Sequence, residues 1–421
     1  MSHGNTALDL EPDIIPEYHI EEWIGKGKLY QHIPLYISEE FGRIRQLPAI
    51  IQQRLPSEEL PVLKFVDLQL SSQSAGFVTT QINTWFSHLA SDEDFTYLFE
   101  RPIPPLEFLE ALDEAMPQAW LDGAQSIADL RFNNGQDRLP LWALAYWKAA
   151  SKTIQKQNDW KQSIHWLTEE SKCDASLPRI DVENLLASLA WNSPTRRNSD
   201  EGTHIFAQLL GNRGLCCTIM DAMTCHLQER LQKSAALASE VTILPASFWQ
   251  VFVKAARRNK YNNEDLPSSL KRLEARVRDG LKQAYMGVFV GGNHEIAVCI
   301  DFEHENIKYG QYHHIVHTTL PTKGPAGDSL AGEYPAPTAF LKDLQKWTDA
   351  RFSKGFRVMG DALVHGRQLD GFSCLVCSAN TIAHAVFGDP VWTATERTKH
   401  RMVWFMTLVR DESEVVSLPH V

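Results

Sequence analysis

The sequence predicts an α+β protein, with a mainly helical N-terminal region followed by strands and one strongly apolar helix. Three observations carry this reading. Apolar residues recur at helical spacing through 108–124 and 139–154. The texture changes at 284–310, where short apolar runs alternate with polar turns. Leu375, Val376, Ala379, Ile382, Ala383, Val386 and Phe387 then mark one face of a helix that Gly388 and Pro390 close. At 421 residues the chain exceeds one ordinary core. The expected layout is an acidic arm at 1–20, a helical region at 21–190 and a second domain at 200–415.

Taken in order, the elements of the N-terminal region are interrupted by Pro48, Pro56, Pro61 and the turn-rich 102–105. Pro140 suits the first turn of the helix at 139–154. Trp142, Trp147, Trp160 and Trp166 fall at helical spacing and read as a buried seam. The polar stretch 191–203 is the best candidate for a loop or boundary, and 204–231 reads as one helix. Within it, Cys216, Cys217, Cys225 and His226 match no zinc spacing, so no metal is expected. The basic stretch 254–282 interleaves both signs of charge, as a solvated helical face does.

From 284 onward the order is a strand around Val288–Val290, a glycine turn at 291–293, a strand through Ile296–Ile300, a polar turn at 301–306 and a strand at 307–309. Composition excludes several functions. With 43% hydrophobic and 22% charged residues and 12 Trp, the chain reads as globular rather than disordered. A formal net charge of −11 argues against a nucleic-acid partner. No apolar run suits a membrane span, and the polar N-terminus lacks an export signal, so an intracellular protein is expected. Its 7 cysteines then read as thiols, not as a disulfide framework.

One of those thiols sits where chemistry is favoured. Cys374 falls at the predicted N-terminus of the last apolar helix, after the turn residues Asp370 and Gly371. Backbone donors and the helix dipole there favour a thiolate and can face an oxyanion. Gln368, across that turn, supplies a neutral amide donor. His294 opens the 296–300 strand, a rigid place for a general base. His365 and His384 are rival bases; His384 lies too far along the nucleophile's own helix to face Cys374.

These residues resemble a known family. Gln368-Leu-Asp-Gly-Phe-Ser-Cys374 is similar to the Q-x-N/D-G-Y/F-D/S-C motif of the ubiquitin-like-protein-specific (SUMO) proteases, and 293–310 to their catalytic-histidine strand and its hairpin partner. The runs at 379–390 and 139–147 are similar to a fungal expansion of that family. The resemblance implies a papain-like, adenain-type cysteine peptidase domain, with Cys374 as nucleophile, His294 as general base and Gln368 in the oxyanion hole. It implies a ubiquitin-like modifier or its conjugates as partner, peptide or isopeptide cleavage after a C-terminal glycine, and no cofactor.

The resemblance also implies an orienting acid just after the partner strand, in a Tyr-Gly-Asp-Ser-Leu-like run. Here Tyr309-Gly310 is followed by Gln311, while Asp328-Ser329-Leu330 comes later. Removing 311–327 joins the two and gives the expected spacing. Asp328 is therefore the expected acid, with Gln311 as the positional alternative, and 311–327 is a surface insertion or a retained intron. Its His313, His314 and His317 lack the carboxylate a metal site would want. Two further departures are Glu295, where the family usually has Trp, and Leu375, where it often has Gly. A competing class is a degenerate peptidase fold that acts as a ubiquitin-like-protein binding module or as a mobile-element accessory protein.

Overall fold

The computed structural model describes residues 20–73, 81–195, 201–257, 266–290, 294–310, 338–352 and 355–415. Asp328, Gln311 and the histidines at 313, 314 and 317 lie outside the described residues. The chain forms two compact units. One takes residues up to Ser57 together with Leu68–Gln157; the other takes Glu58–Asp67 and everything from Asn158. The 191–203 stretch lies inside the second unit.

In the first unit, helices α1 (Leu35–Arg45) and α2 (Ala49–Gln52) come first. Helix α3 (Val62–Val66) is given to the second unit. Then follow α4 (Tyr97–Glu100), α5 (Leu106–Leu121) and the N-terminal half of α6 (Ala143–Cys173). Strands β1 (Phe86–Ser87), β2 (Ser126–Ala128) and β3 (Arg138–Pro140) make a small antiparallel sheet. Trp85, Leu109, Leu112 and Trp147 centre the core. Pro140 ends β3 and does not open α6, so the helix begins later and runs further than the 139–154 expected. A proline instead sits directly before α1, α2, α3 and α5, at Pro34, Pro48, Pro61 and Pro105. Its missing N–H costs nothing there, because the first amides of a helix have no internal acceptor.

The second unit adds α7 (Arg179–Ser188), α8 (Cys217–Gln232), α9 (Ala235–Glu240), α10 (Trp249–Arg257), α11 (Ser268–Arg278), α12 (Thr338–Arg351), α13 (Cys374–Phe387) and α14 (Arg397–Val415). Its sheet runs β4 (Val241–Ile243), β5 (Gln283–Val290), β6 (His294–Asp301), β7 (Asn306–Gly310), β8 (Arg357–Asp361). The three central strands are antiparallel neighbours, as the turn spacing predicts, and the edges β4 and β8 pair in parallel. The architecture is thus α+β.

Alternation along β6 divides the packing. Ile296, Val298 and Ile300 join Phe252, Leu270 and Trp347 in a core with α10, α11 and α12. Helix α13 packs on β5 and β6 and is buried from Cys374 through Ala383. Gly388, at φ 74°, closes α13 in the left-handed region, as expected of a C′ glycine. The single helix expected at 204–231 is broken into a 3₁₀ turn at Thr203–Leu209 and α8. The carbonyls of Gln208, Leu209 and Arg213 accept bonds from the Arg401 side chain, an alternative to helical pairing between the two pieces. Among the described residues no helix is long and apolar enough to cross a membrane.

Candidate active site

Cys374 begins α13, and the turn ahead of it is built by one side chain. Asp370 Oδ1 accepts the backbone N–H of Phe372 (2.9 Å) and Ser373 (2.8 Å), while its Oδ2 accepts the Ser373 hydroxyl (2.8 Å). This Asx turn aims the chain into the helix, whose first internal bond runs from Cys377 N to Ser373 O (2.9 Å). The thiol is only 3% exposed. Its sulfur lies in hydrogen-bond reach of the backbone N–H of Glu295 and of the first amides of α13. Glu295 follows His294, which opens β6 opposite Val290. The fold therefore brings the helix tip and the start of that strand together.

Burial works against the thiolate that the helix tip favours. Burial pushes the Cys374 thiol up to about 11, outweighing the Glu295, Leu375 and Cys374 N–H groups that favour the anion. The reason is dryness: donors at a helix tip do not replace the water that a 3% exposed sulfur has lost.

Gln368 is likewise buried, 3% exposed. Its Nε2 donates to the Asp370 carbonyl (2.6 Å) and more weakly to Asp370 Oδ1 (3.3 Å), and its Oε1 is buried without a hydrogen bond. In this resting site its amide braces the Asx turn. His384 Nδ1 lies 2.6 Å from the Asp389 carbonyl, at the far end of α13. His365 has both ring nitrogens facing oxygens, Asp361 Oδ1 at 2.9 Å and the Gly366 carbonyl at 3.0 Å. Both rivals are engaged elsewhere.

Sequence reasoning missed two buried groups. The Glu295 side chain is 0% exposed, with Met220 and Ser378 beside it, and Gly287 has no side chain because its Cβ would meet the Glu295 carboxyl. Burial and the nearby Asp221 raise this carboxyl well above the usual range. The Ser378 hydroxyl opposes the shift, yet neither group has a well-formed hydrogen bond. Asp221 is raised too, by burial, against N–H donors from Ser247 and Ala246. The second group is Arg401, fully buried on α14. The apolar run that follows in β6, buried on both faces, was a usable signal for Glu295; nothing local marks Arg401.

A cleft of about 520 Å³ opens onto Cys374, with Gln208, Arg213, Leu215, Phe289 and Phe372 in its walls. An ion pair between Arg213 and Asp159 (2.7 Å) stands beside it. Gly214 and Gly371 also line the cleft, and a Cβ on either would meet only open space. Among the described residues no cluster of three or more His, Cys, Asp or Glu is arranged to hold a metal ion.

No family model matches this sequence, and no curated protein matches it. Among solved structures, the SUMO protease Ulp1 with its catalytic cysteine oxidised to a sulfenic acid is similar at 15% identity, over 56% of this chain and 96% of that one, with a TM-score of 0.40. The C-terminal Ulp1 protease domain bound to Smt3, the yeast ortholog of SUMO, gives 17% identity over 55% and 93%, with a TM-score of 0.37. The Xanthomonas campestris effector XopD bound to ubiquitin gives 15% over 46% and 91%, with a TM-score of 0.27. These values are too low to carry the functional reading, which rests on the residues themselves.

Proposed function

We propose that the chain is a cysteine peptidase that hydrolyses a peptide or isopeptide bond after the C-terminal glycine of a ubiquitin-like modifier. The observation that carries the reading is the Cys374 sulfur at a helix tip, in hydrogen-bond reach of the N–H one residue beyond His294. The substrate class comes from the resemblance of the 368–374 motif, and side-chain-free walls at Gly214 and Gly371 suit a slender glycine tail.

A thiol held near 11 is neutral at physiological pH. His294 therefore takes the proton as sulfur attacks the carbonyl carbon, instead of before it. The tetrahedral oxyanion faces the Cys374 N–H and the Gln368 amide, once that amide turns from Asp370. Collapse expels the amine, which receives the proton from His294, and leaves a thioester. Water, deprotonated by His294, then attacks the thioester and frees the thiol. Asp328, or Gln311, orients the imidazole in this reading.

A ubiquitin-like probe ending in an electrophilic glycine mimic tests the proposal. Wild-type protein is expected to form a covalent adduct that C374A and H294A both lose. An adduct that persists in C374A, or none with any modifier tried, overturns it.

A further inference from the structure

We propose that Arg401 is a positioning residue of this site, a buried fork on α14 that holds the two walls of the Cys374 cleft at a fixed separation. The inference rests on the reading of Cys374 as nucleophile. One wall is the turn Gly371–Phe372, and the other is formed by Gln208 and residues 213–216. Arg401 Nη1 donates to the Phe372 carbonyl (3.4 Å), two residues before the thiol. On the opposite wall, its Nε donates to Leu209 O (3.1 Å) and its Nη2 to Gln208 O (2.6 Å) and Arg213 O (2.9 Å). The Gln208 side chain extends the brace by accepting the Cys216 N–H (2.9 Å). One guanidinium thus reaches four carbonyls on two segments far apart in sequence.

Packing alone does not explain this side chain. It is 0% exposed, and burying a cation costs more than burying an apolar residue of the same size. Asp370 favours its charge while Arg213 and Arg397 oppose it, so two cations face the one carboxylate. What a guanidinium offers is geometry: five N–H groups in a rigid planar fork, which a lysine's single ammonium cannot reproduce. The same charge lies in electrostatic reach of the Cys374 sulfur, where it favours the anion formed during attack.

The test uses the full chain and reads the thiol itself. Iodoacetamide labelling of Cys374 is followed against pH by peptide mass spectrometry for wild type, R401K and R401M, with circular dichroism and thermal melts alongside. R401M is expected to move the Cys374 labelling midpoint to higher pH, because a nearby cation is gone. R401K, which keeps the charge but loses the fork, is expected to hold the midpoint within error. It should still lower kcat on a cleavable modifier substrate by at least about tenfold, the scale of a small misplacement of reacting groups, with KM changed less. Folded R401M and R401K with wild-type midpoints and wild-type kcat overturn the proposal, leaving Arg401 a core charge only. If R401M does not fold, R401K decides alone through kcat. Alkylation needs no modifier, so a wrong substrate class, seen as failure of the probe on wild type, is distinguishable from failure of this inference.

Discussion

Two buried carboxyls, one in each unit, show how differently the chain treats the same chemical group. Asp129 in the first unit and Glu295 in the second are both 0% exposed. Asp129 is gripped by Arg131, with Oδ1 accepting Nε (2.8 Å) and Oδ2 accepting Nη2 (2.7 Å), and Arg131 Nη1 continues to the Pro102 carbonyl (2.6 Å). Among the described residues Glu295 has no cation acting on it and no well-formed hydrogen bond, although Ser378 is beside it. The first arrangement is what a stable core requires of a buried charge. The second leaves a cost standing next to the proposed nucleophile, which is where locally inconsistent sequence choices are expected to gather. The lesson is that burial alone does not set the energy of an acid; the presence or absence of a partner does.

The comparison breaks most sharply if the paired carboxyl is orphaned. R131A is expected to lose about 3–5 kcal/mol, because it leaves Asp129 buried and uncompensated. A urea midpoint unchanged from wild type would mean that Asp129 finds water. E295Q should act in the opposite sense and stabilise by about 1–3 kcal/mol near neutral pH. The sign follows from the raised carboxyl. Below the unfolded value both states hold the proton and there is no penalty, while above it the folded state must keep the proton or ionise in a dry site. Wild type therefore loses stability as pH rises through that interval and E295Q does not, so melts at pH 4 and pH 8 should diverge only at pH 8.

A smaller effect sharpens the view of the thiol. With Cys374 near 11 by burial, H294A should abolish cleavage yet shift the alkylation midpoint of Cys374 little. A fall in the neutral-pH alkylation rate of H294A would instead signal a standing thiolate–imidazolium pair in wild type. The smallest change is expected from S378A, about 1 kcal/mol or less in a denaturant titration, since its hydroxyl lacks a well-formed bond to lose.

Much of the second unit was legible because its signals are local. The turn residues between 284 and 310 located three strands, although β5 starts at Gln283, well before the Val288–Val290 run, and the spacing from Leu375 to Gly388 set α13. The helix expected at 204–231 breaks around Gly211 and Gly214, a local signal, and Arg401, almost two hundred positions later, donates to carbonyls on the near side and within that break. At Cys374 the helix-tip donors that favour a thiolate are visible in a sequence, and the desolvation that opposes them is not. Glu295 was noticed as a departure from a family pattern, but its orphaned state depends on Met220, Gly287 and Ser378 arriving from three other elements.

The gap at Gly287 has a consequence for how this site can change over generations. A methyl there would meet both the Glu295 carboxyl and the Met220 methyl, so an alanine at 287 asks those two side chains to give way. Bulk at 220, 287 and 295 is thereby shared, and growth at one position is eased by shrinkage at another.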